Sequence, residues 1–187
     1  MQAPELVARY ESISFEDGNN GVLDLVPPSP CRVLDIGAGS GRDAAWFAAH
    51  GHAVTAVEPT KEMRVRGQAL HVSPHIEWID DGLPDLQRVR GRTFDLIWIS
   101  AVWFHLTAAE RAEAMPVVAA LVGDGGALMI SLRHAPPAPG RRMFEVSAEE
   151  PIAHAAAAGL TCVRNINVEP ARTAGMRWDW LWFIRAA

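Results

Sequence analysis

The stretch VLDIGAGSGRD, residues 33–43, decides the fold. A short aliphatic run over residues 32–36 enters three glycines spaced as GxGxG, and residues 43–50 follow with apolar side chains at helical spacing before Gly51. This order predicts a strand, a tight turn and a helix. Glycines in such a turn let the backbone bend sharply and approach a ligand closely, while the helix N-terminus offers free N–H groups. We therefore expect a ligand at this turn.

The glycine spacing and the acid before it distinguish this turn from a dinucleotide-binding turn. The dinucleotide fingerprint is GxGxxG, whereas this sequence has GxGxG with Asp35 two positions before Gly37. A carboxylate at that point would repel a pyrophosphate, but it suits a cationic ligand. A nicotinamide-dependent oxidoreductase is therefore kept only as the weakest of three hypotheses.

Working outward from the turn, strand-like and helical segments alternate from about residue 30 to the end, which predicts an α/β fold with a mostly parallel sheet. Seven strands are predicted, over residues 32–36, 53–57, 75–79, 94–100, 127–132, 160–168 and 177–185. The connection between the last two is too short for a crossover helix, so they should pair antiparallel. The predicted fold is a doubly wound, Rossmann-like seven-stranded sheet, mostly parallel with an antiparallel C-terminal hairpin.

The first 29 residues precede the first strand and contain a predicted helix over residues 4–10. They are too few for a domain, so we expect an N-terminal helical lid or edge segment beside a single domain over residues 30–187. A chain of 187 residues with 49% hydrophobic and 21% charged residues fits one domain.

Local signals predict the starts of two helices and one turn. Thr107 with Glu110, and Ser147 with Glu150, have the spacing of a capping box at a helix N-terminus. Residues 124–126, an aspartate and two glycines, predict a turn ahead of the fifth strand.

Composition excludes several classes of protein. The net charge of −5 disfavours nucleic acid as a partner. The apolar runs are far shorter than the roughly 20 residues of a membrane-spanning helix, and no secretory signal is visible, so we expect a cytoplasmic protein. Cys31 and Cys162 lie far apart and form no CxxC, so neither a disulfide framework nor a metal site is expected. The oligomeric state is left open.

The acid followed by GxGxG resembles the first motif of the class I S-adenosylmethionine-dependent methyltransferases, and the resemblance extends from about residue 32 to the C-terminus. It implies an enzyme that takes S-adenosylmethionine, releases S-adenosylhomocysteine and transfers a methyl group to a nucleophilic N, O, S or C atom. The chain lacks the Asn-Pro-Pro-Tyr and Asp-Pro-Pro-Tyr patterns of relatives that methylate adenine or glutamine nitrogens. We expect a small-molecule acceptor.

The resemblance also assigns residues to the cofactor. Glu58 would take the ribose hydroxyls, and either Asp80 or Asp81 the adenine amino group. Arg42 would pair with the cofactor carboxylate, with an exposed arginine at a helix start as the equal alternative, and Tyr10 would fold over the methionine end. The complete predicted cofactor set is Tyr10, Asp35, Gly37, Ala38, Gly39, Gly41, Arg42, Glu58, Pro59, Asp80, Asp81 and Ser100.

Residues 94–106, FDLIWISAVWFHL, resemble the fourth motif of the same family, where a strand end faces the donor methyl. His105 lies just beyond the strand and is the candidate catalytic residue, as a general base or an orienting group, with a packed turn residue as the equal alternative. Trp103, His105, Arg133 and His134 are the predicted acceptor-binding residues. A second hypothesis is a module that binds S-adenosylmethionine without catalysis.

Overall fold

The computed structural model describes residues 3–136, 140–168 and 176–187. Its seven strands are β1 (Arg32–Ile36), β2 (Ala53–Val57), β3 (Ile76–Ile79), β4 (Phe94–Ile99), β5 (Val122–His134), β6 (Thr161–Val168) and β7 (Arg177–Ile184). Its helices are α1 (Ala3–Glu11), α2 (Phe15–Asn19), α3 (Arg42–Ala49), α4 (Lys61–Leu70), α5 (Ala108–Leu121) and α6 (Glu149–Ala157), with short 3-10 turns at Leu23–Leu25 and Trp103–His105. The strands form one sheet in the order β3-β2-β1-β4-β5-β7-β6, which confirms the predicted fold class.

The chain forms two compact units, residues 1–82 and residues 83–187, which we call the N-terminal and C-terminal units. In the N-terminal unit β1 and β3 both pair parallel with β2. The backbone N–H groups of Gly37 and Ala38 donate to the carbonyl of Val57, at 2.8 and 3.0 Å, and the N–H of Glu58 donates to the carbonyl of Ile79. The carboxyl ends of the three strands therefore meet at one edge, the edge at which α/β sheets bind ligands.

Helices α1 and α2 belong to the N-terminal unit, and α1 confirms the helix predicted over residues 4–10. The hydroxyl of Ser14 caps α2 by accepting from the N–H of Asp17 at 3.0 Å. The Phe15 ring is buried and stacks on Trp46 of α3, with ring centroids 4.0 Å apart. Aromatic packing thus holds this segment to the helix that follows the glycine turn. Its function as a lid stays a prediction.

In the C-terminal unit β4 pairs parallel with β5, while β7 runs antiparallel to both β5 and β6. The predicted antiparallel hairpin is confirmed, and β7, the last strand, lies between β5 and β6. Residues 96–99 of β4 are fully buried, as expected for a central strand with both faces covered.

The predicted start of the fifth strand was wrong, because β5 begins at Val122 rather than Ala127. Pairing with β4 steps from Phe94 opposite Val122 to Leu96 opposite Ala127, so the intervening residues of β5 bulge out of the ladder. A Cβ on Gly126 would lie 2.8 Å from the carbonyl oxygen of Gly123. Glycine is required because the bulge folds back onto itself, and pairing resumes after it.

The capping box at Thr107 is confirmed, whereas the one predicted at Ser147 was wrong. The Thr107 hydroxyl accepts from the N–H of Glu110, and the Glu110 carboxylate accepts from the N–H of Thr107 at 2.7 Å. Helix α6 instead starts after Ala148 without a side-chain cap, since Glu150 binds the guanidinium of Arg111. Within the described residues, no helix has the length and apolar character needed to cross a membrane.

Candidate functional site

The glycine turn lies between β1 and α3, and its glycines at positions 37, 39 and 41 all have left-handed backbone angles. Gly41, at φ +87°, is the N-cap of α3, and a Cβ there would lie 2.6 Å from the Trp78 ring. A Cβ on Gly39, at φ +58°, would lie 3.7 Å from the ring of Tyr10. Packing excludes a side chain at Gly41, whereas Gly39 lies in contact range of the tyrosine that the sequence predicts over the site.

Glu58, at the carboxyl end of β2, holds the turn through its carboxylate. Its Oε2 accepts from the N–H of Gly39 at 2.8 Å, and its Oε1 accepts from the N–H of Thr60 at 2.7 Å. The side chain is buried, and each oxygen keeps a second lone pair for a ligand donor. Pro59 beside it packs on Gly82, where a Cβ would lie 3.2 Å from the proline ring.

Asp35 is a buried carboxyl group at the end of β1, with a relative exposure of 3%. It accepts a hydrogen bond from the N–H of Ala44, while its Oδ2 has no hydrogen-bond partner among the described residues. Burial raises the pKa of Asp35 well above its usual range, the charges of Asp43 and Glu58 add to this, and the Arg42 charge opposes it. A cation beside Oδ2 would stabilise the charged form of this carboxyl group. Asp35 therefore fits a ligand with an ammonium or sulfonium group.

Arg42 is engaged by its neighbour in this structure. Its Nε and Nη2 both lie 2.7 Å from Oδ1 of Asp43, and its Nη1 donates to the carbonyl of Tyr10 at 3.5 Å. Arg42 therefore ties the start of α3 to the end of α1 and stands beside Tyr10, the ring of which a Cβ on Gly39 would contact. Its pairing with a cofactor carboxylate stays a prediction.

Asp80 and Asp81, after β3, have different surroundings. Asp80 is 54% exposed and pairs with Arg64, whose Nη2 lies 2.8 Å from its Oδ2. Asp81 is half-buried, and its Oδ1 accepts from the N–H of Gly82 at 2.9 Å. Arg64 also donates to the carbonyl of Glu58 at 2.6 Å. The sequence analysis did not identify Arg64 as a residue that supports the site. Its position four residues after Thr60, in the first turns of α4, was the available signal.

In the C-terminal unit the chain leaves β4 through Ser100 and a strained Ala101, which has φ +59°. The N–H of Ala101 donates to the hydroxyl of Ser131 at 2.8 Å, so the exit of β4 is tied to β5 three residues before that strand ends. Trp103, expected at the acceptor crevice, is fully buried, and its indole N–H has no partner among the described residues. Trp103 is therefore part of the core, and its contact with an acceptor stays a prediction.

His105 lies at the end of the 3-10 turn after β4, with its Nδ1 2.5 Å from the carbonyl oxygen of Arg142. A carbonyl only accepts, so Nδ1 carries the proton and Nε2 keeps a lone pair. Burial lowers the pKa of His105 most. The hydrogen bond to the Arg142 carbonyl opposes this by raising the pKa, and the charges of Arg141, Arg133 and Arg142 lower it further. The ring is therefore neutral at pH 7 and able to accept a hydrogen bond.

The other two predicted acceptor residues lie at the end of β5. The Nη1 of Arg133 donates to the carbonyls of Ala135 and Pro136 at 3.3 and 3.2 Å. The Nε2 of His134 lies 2.8 Å from Oδ2 of Asp179, a buried carboxylate on β7. Sequence reasoning missed Asp179, although a lone acid inside the aromatic run of β7 was a signal.

Comparison with known proteins agrees with this geometry. A family model described as a methyltransferase domain matches residues 33–126, from the glycine turn to the bulge of β5. The chain belongs to the class I S-adenosylmethionine-dependent methyltransferases. An uncharacterized methyltransferase of Bacillus licheniformis is 34% identical over 125 residues, which cover 66% of this chain and 56% of the relative. The chain spans about half the length of the curated relatives it matches.

Solved methyltransferase structures share the fold. The 1,6-didemethyltoxoflavin-N1-methyltransferase of Burkholderia thailandensis, with 1,6-didemethyltoxoflavin and S-adenosylhomocysteine bound, has a TM-score of 0.70 and 22% identity, covering 99% of this chain and 89% of its own. The magnesium protoporphyrin IX methyltransferase of Synechocystis PCC 6803, with S-adenosylmethionine bound, has a TM-score of 0.69 and 18% identity, covering 98% and 78%. At these identities the similarity establishes the methyltransferase fold.

Proposed function

We propose that the protein is an enzyme that transfers a methyl group from S-adenosylmethionine to a small-molecule acceptor. The observation that carries the proposal is the buried carboxyl of Asp35, one oxygen of which has no hydrogen-bond partner in the described part of the chain, at the edge where the glycine turn begins. Family membership supports it, as do two similar structures, a 1,6-didemethyltoxoflavin-N1-methyltransferase and a magnesium protoporphyrin IX methyltransferase. The cytoplasm remains our predicted location.

The cofactor residues all lie in the N-terminal unit except Ser100. Asp35 would face the cationic part of the cofactor, and Glu58 would accept from the ribose hydroxyls with its remaining lone pairs. S-adenosylmethionine supplies an electrophilic methyl group, whose carbon bonds to the acceptor atom as the carbon–sulfur electron pair returns to sulfur. The protein's own contribution is to hold both reactants in line and to keep water out.

For the adenine amino group we propose Asp81 rather than Asp80. The Asp80 carboxylate is half exposed and paired with the Arg64 guanidinium, whereas Asp81 is half-buried and anchored at its own turn by the N–H of Gly82. Tyr10 would cover the methionine end from α1, because its ring already lies against Gly39. The position of Arg42 beside Tyr10 is consistent with this arrangement.

On the acceptor side we propose His105 and His134 as the polar groups that meet the acceptor, with Arg133 beside them. The Nε2 lone pair of His105 would accept a hydrogen bond from an acceptor O–H or N–H. Its lowered pKa keeps the ring neutral, so that this lone pair is present at pH 7.

The proposal is tested by calorimetry with S-adenosylhomocysteine on wild type, Gly39→Val and the matched control Gly91→Val. Both glycines have positive φ, but a Cβ on Gly91 meets nothing within 4 Å, so the control has comparable backbone strain without filling a site. We expect Gly39→Val to abolish binding while staying folded, and Gly91→Val to bind like wild type. Equal affinity in both variants would remove the turn from the site.

Calorimetry together with a methyl-transfer assay separates the other two hypotheses. Binding of NADH in place of S-adenosylhomocysteine would favour the oxidoreductase. Tight binding of S-adenosylhomocysteine without methyl transfer to any acceptor would favour the non-catalytic module.

A further inference from the structure

A histidine and a buried carboxylate form a pair at the end of β5. The Nε2 of His134 lies 2.8 Å from Oδ2 of Asp179, and the two side chains are 16% and 5% exposed. The other carboxylate oxygen, Oδ1, is buried without a hydrogen-bond partner among the described residues, and the Nε of Arg177 lies 3.6 Å from it. The His134 ring is therefore partly accessible to solvent, whereas the Asp179 carboxylate that holds it is buried.

The hydrogen bond determines which ring nitrogen is available. An ionised carboxylate only accepts, so Nε2 of His134 carries the proton and Nδ1 keeps the lone pair. If Nδ1 takes up a proton, the imidazolium is stabilised by the carboxylate that already holds the ring. Charged groups nearby are Arg177 on β7 and Glu149 on α6. Hydrogen bonds from the Glu149 N–H and from Ser147 lower the pKa of Glu149 most, and the charges of Arg177 and His134 lower it further.

His105 has the opposite surroundings. Its ring donates to a neutral carbonyl, that of Arg142, and arginine charges act on it from three positions. Positive surroundings oppose a second proton on the ring, so His105 is suited to orient an acceptor as a neutral group. His134 is thus held by a carboxylate and His105 by a neutral carbonyl, and groups held so differently are suited to different roles.

Both histidines lie at one edge of the C-terminal unit. The N–H of Ala101 joins the exit of β4 to the hydroxyl of Ser131, three residues before the end of β5, and Arg133 lies opposite Trp178 in the β5–β7 ladder. The ring of Phe104, next to His105, contacts the ring of Trp178 with centroids 6.1 Å apart. An aromatic contact therefore connects the turn of His105 to β7, the strand that carries Asp179 on its opposite face.

We propose that His134 is the catalytic base of the acceptor site, that Asp179 is its positioning residue, and that His105 orients the acceptor. This rests on the proposed function and narrows the substrate class to acceptors whose O–H or N–H proton must leave. The proton passes to Nδ1 of His134, and the electron pair that it leaves on the acceptor atom forms the bond to the methyl carbon. The imidazolium then returns the proton to solvent.

The kinetic test measures methyl transfer from labelled S-adenosylmethionine to a mixture of phenols, hydroxy acids and N–H heterocycles. We expect His134→Gln, whose amide still donates to Asp179, to lose about 10²- to 10⁴-fold in turnover with unchanged S-adenosylhomocysteine affinity. His105→Ala should mainly raise the KM of the acceptor. The control His75→Asn, at an exposed position, should leave both constants unchanged.

The variant Asp179→Asn separates a positioning role from a structural one. An asparagine can turn either its oxygen or its NH₂ group towards His134 and no longer fixes the ring proton on Nε2, so turnover should fall while the acceptor KM and the S-adenosylhomocysteine affinity stay unchanged. A purely structural link between β5 and β7 would lower the melting temperature without lowering turnover. That outcome, or full activity in His134→Gln, would overturn the proposal.

A second measurement needs no acceptor. Nitrogen-15 NMR of the histidine rings in the full chain should find the proton of His134 on Nε2 and that of His105 on Nδ1, with the His134 preference reduced in Asp179→Asn. A proton on Nδ1 of His134 would overturn the proposal by itself. Failure of the proposed function has a different signature, because wild type would then not bind S-adenosylhomocysteine.

Discussion

Asp35 illustrates at the scale of one residue how a binding site and fold stability compete. A carboxyl group with 3% exposure, one oxygen of which lacks a hydrogen-bond partner among residues 3–136, 140–168 and 176–187, is costly to ionise inside the folded chain. The same feature makes it a good partner for a cationic ligand. Asp35 therefore marks the site well, but its charged form lowers the stability of the fold when no cation is bound.

We expect the unfolding free energy of wild type to fall as the pH rises from about 4. Because the pKa of Asp35 is raised, mainly by burial, the native state keeps a proton that the unfolded state has lost. Stability therefore decreases by up to about 1.4 kcal/mol per pH unit between the ordinary and the native pKa, and levels off above the native value.

Urea unfolding from pH 4 to pH 8 checks this, with Asp35→Asn as the test variant. The asparagine cannot ionise, so its curve should lack this decline, while its affinity for S-adenosylmethionine should be lower. Asp85→Asn, at a side chain that is 63% exposed, is the matched control and should keep the wild-type profile. A decline that persists unchanged in Asp35→Asn would show that another group causes it.

At the scale of the element, helices α5 and α6 are joined by one ion pair that neither helix predicts alone. Arg111 is 3% exposed, and its Nε and Nη2 bind the two oxygens of Glu150 at 2.5 and 2.8 Å. Its Nη1 donates to the carbonyl of Leu106, just before α5. Each nitrogen of the guanidinium thus has a partner inside the C-terminal unit, and two of the three depend on a carboxylate that is 27% exposed.

We expect Glu150→Ala to destabilise the fold by roughly 3 kcal/mol, because it leaves the buried Arg111 charge without a partner. The Arg111 hydrogen bond is the main cause that lowers the pKa of Glu150, so this stabilisation is present above the ordinary glutamate pKa of about 4.3 and lost below it. Urea unfolding at pH 7 and at pH 3 measures both effects.

The control for this pair is Glu113→Ala on the exposed side of α5, which should change stability little at either pH. A second variant, Arg111→Met, removes the charge that would be stranded. The double variant with Glu150→Ala should then be less destabilised than the sum of the two single variants. Simple additivity would mean that the pair contributes nothing as a pair.

At the scale of the whole molecule, the proposed cofactor residues are concentrated in one of the two compact units. All of the proposed set except Ser100 lie within residues 1–82, including Tyr10 and the three strand ends. A ligand that binds there stabilises the native state in proportion to its occupancy.

We expect S-adenosylhomocysteine at 100 times its Kd to add about 2.7 kcal/mol to the stability of the chain. Hydrogen exchange should slow most at residues 37–42 and at the end of α1, because these backbone groups surround the proposed ligand. Thermal unfolding and exchange mass spectrometry with and without the ligand check both statements. Protection confined to the C-terminal unit would place the cofactor elsewhere.

Much of the fold could be predicted because its signals are local. The bounds of β1 and β2 match the predicted segments, and the Thr107 box starts α5 where expected, since apolar period, glycine turns and caps act between near neighbours in the chain. The bulge of β5 escaped prediction because three residues typical of a turn, at 124–126, also allow a strand to loop out and resume.

By itself, therefore, the sequence determined the α/β class, the glycine turn after β1 and the acids at the ends of the first three strands. Only the tertiary structure decided that β7 lies between β5 and β6, that Glu150 binds Arg111 and that Asp179 meets His134. The physical reason is sequence separation. These partners lie 39 and 45 residues apart, and their meeting depends on sheet order and packing, which no local period encodes.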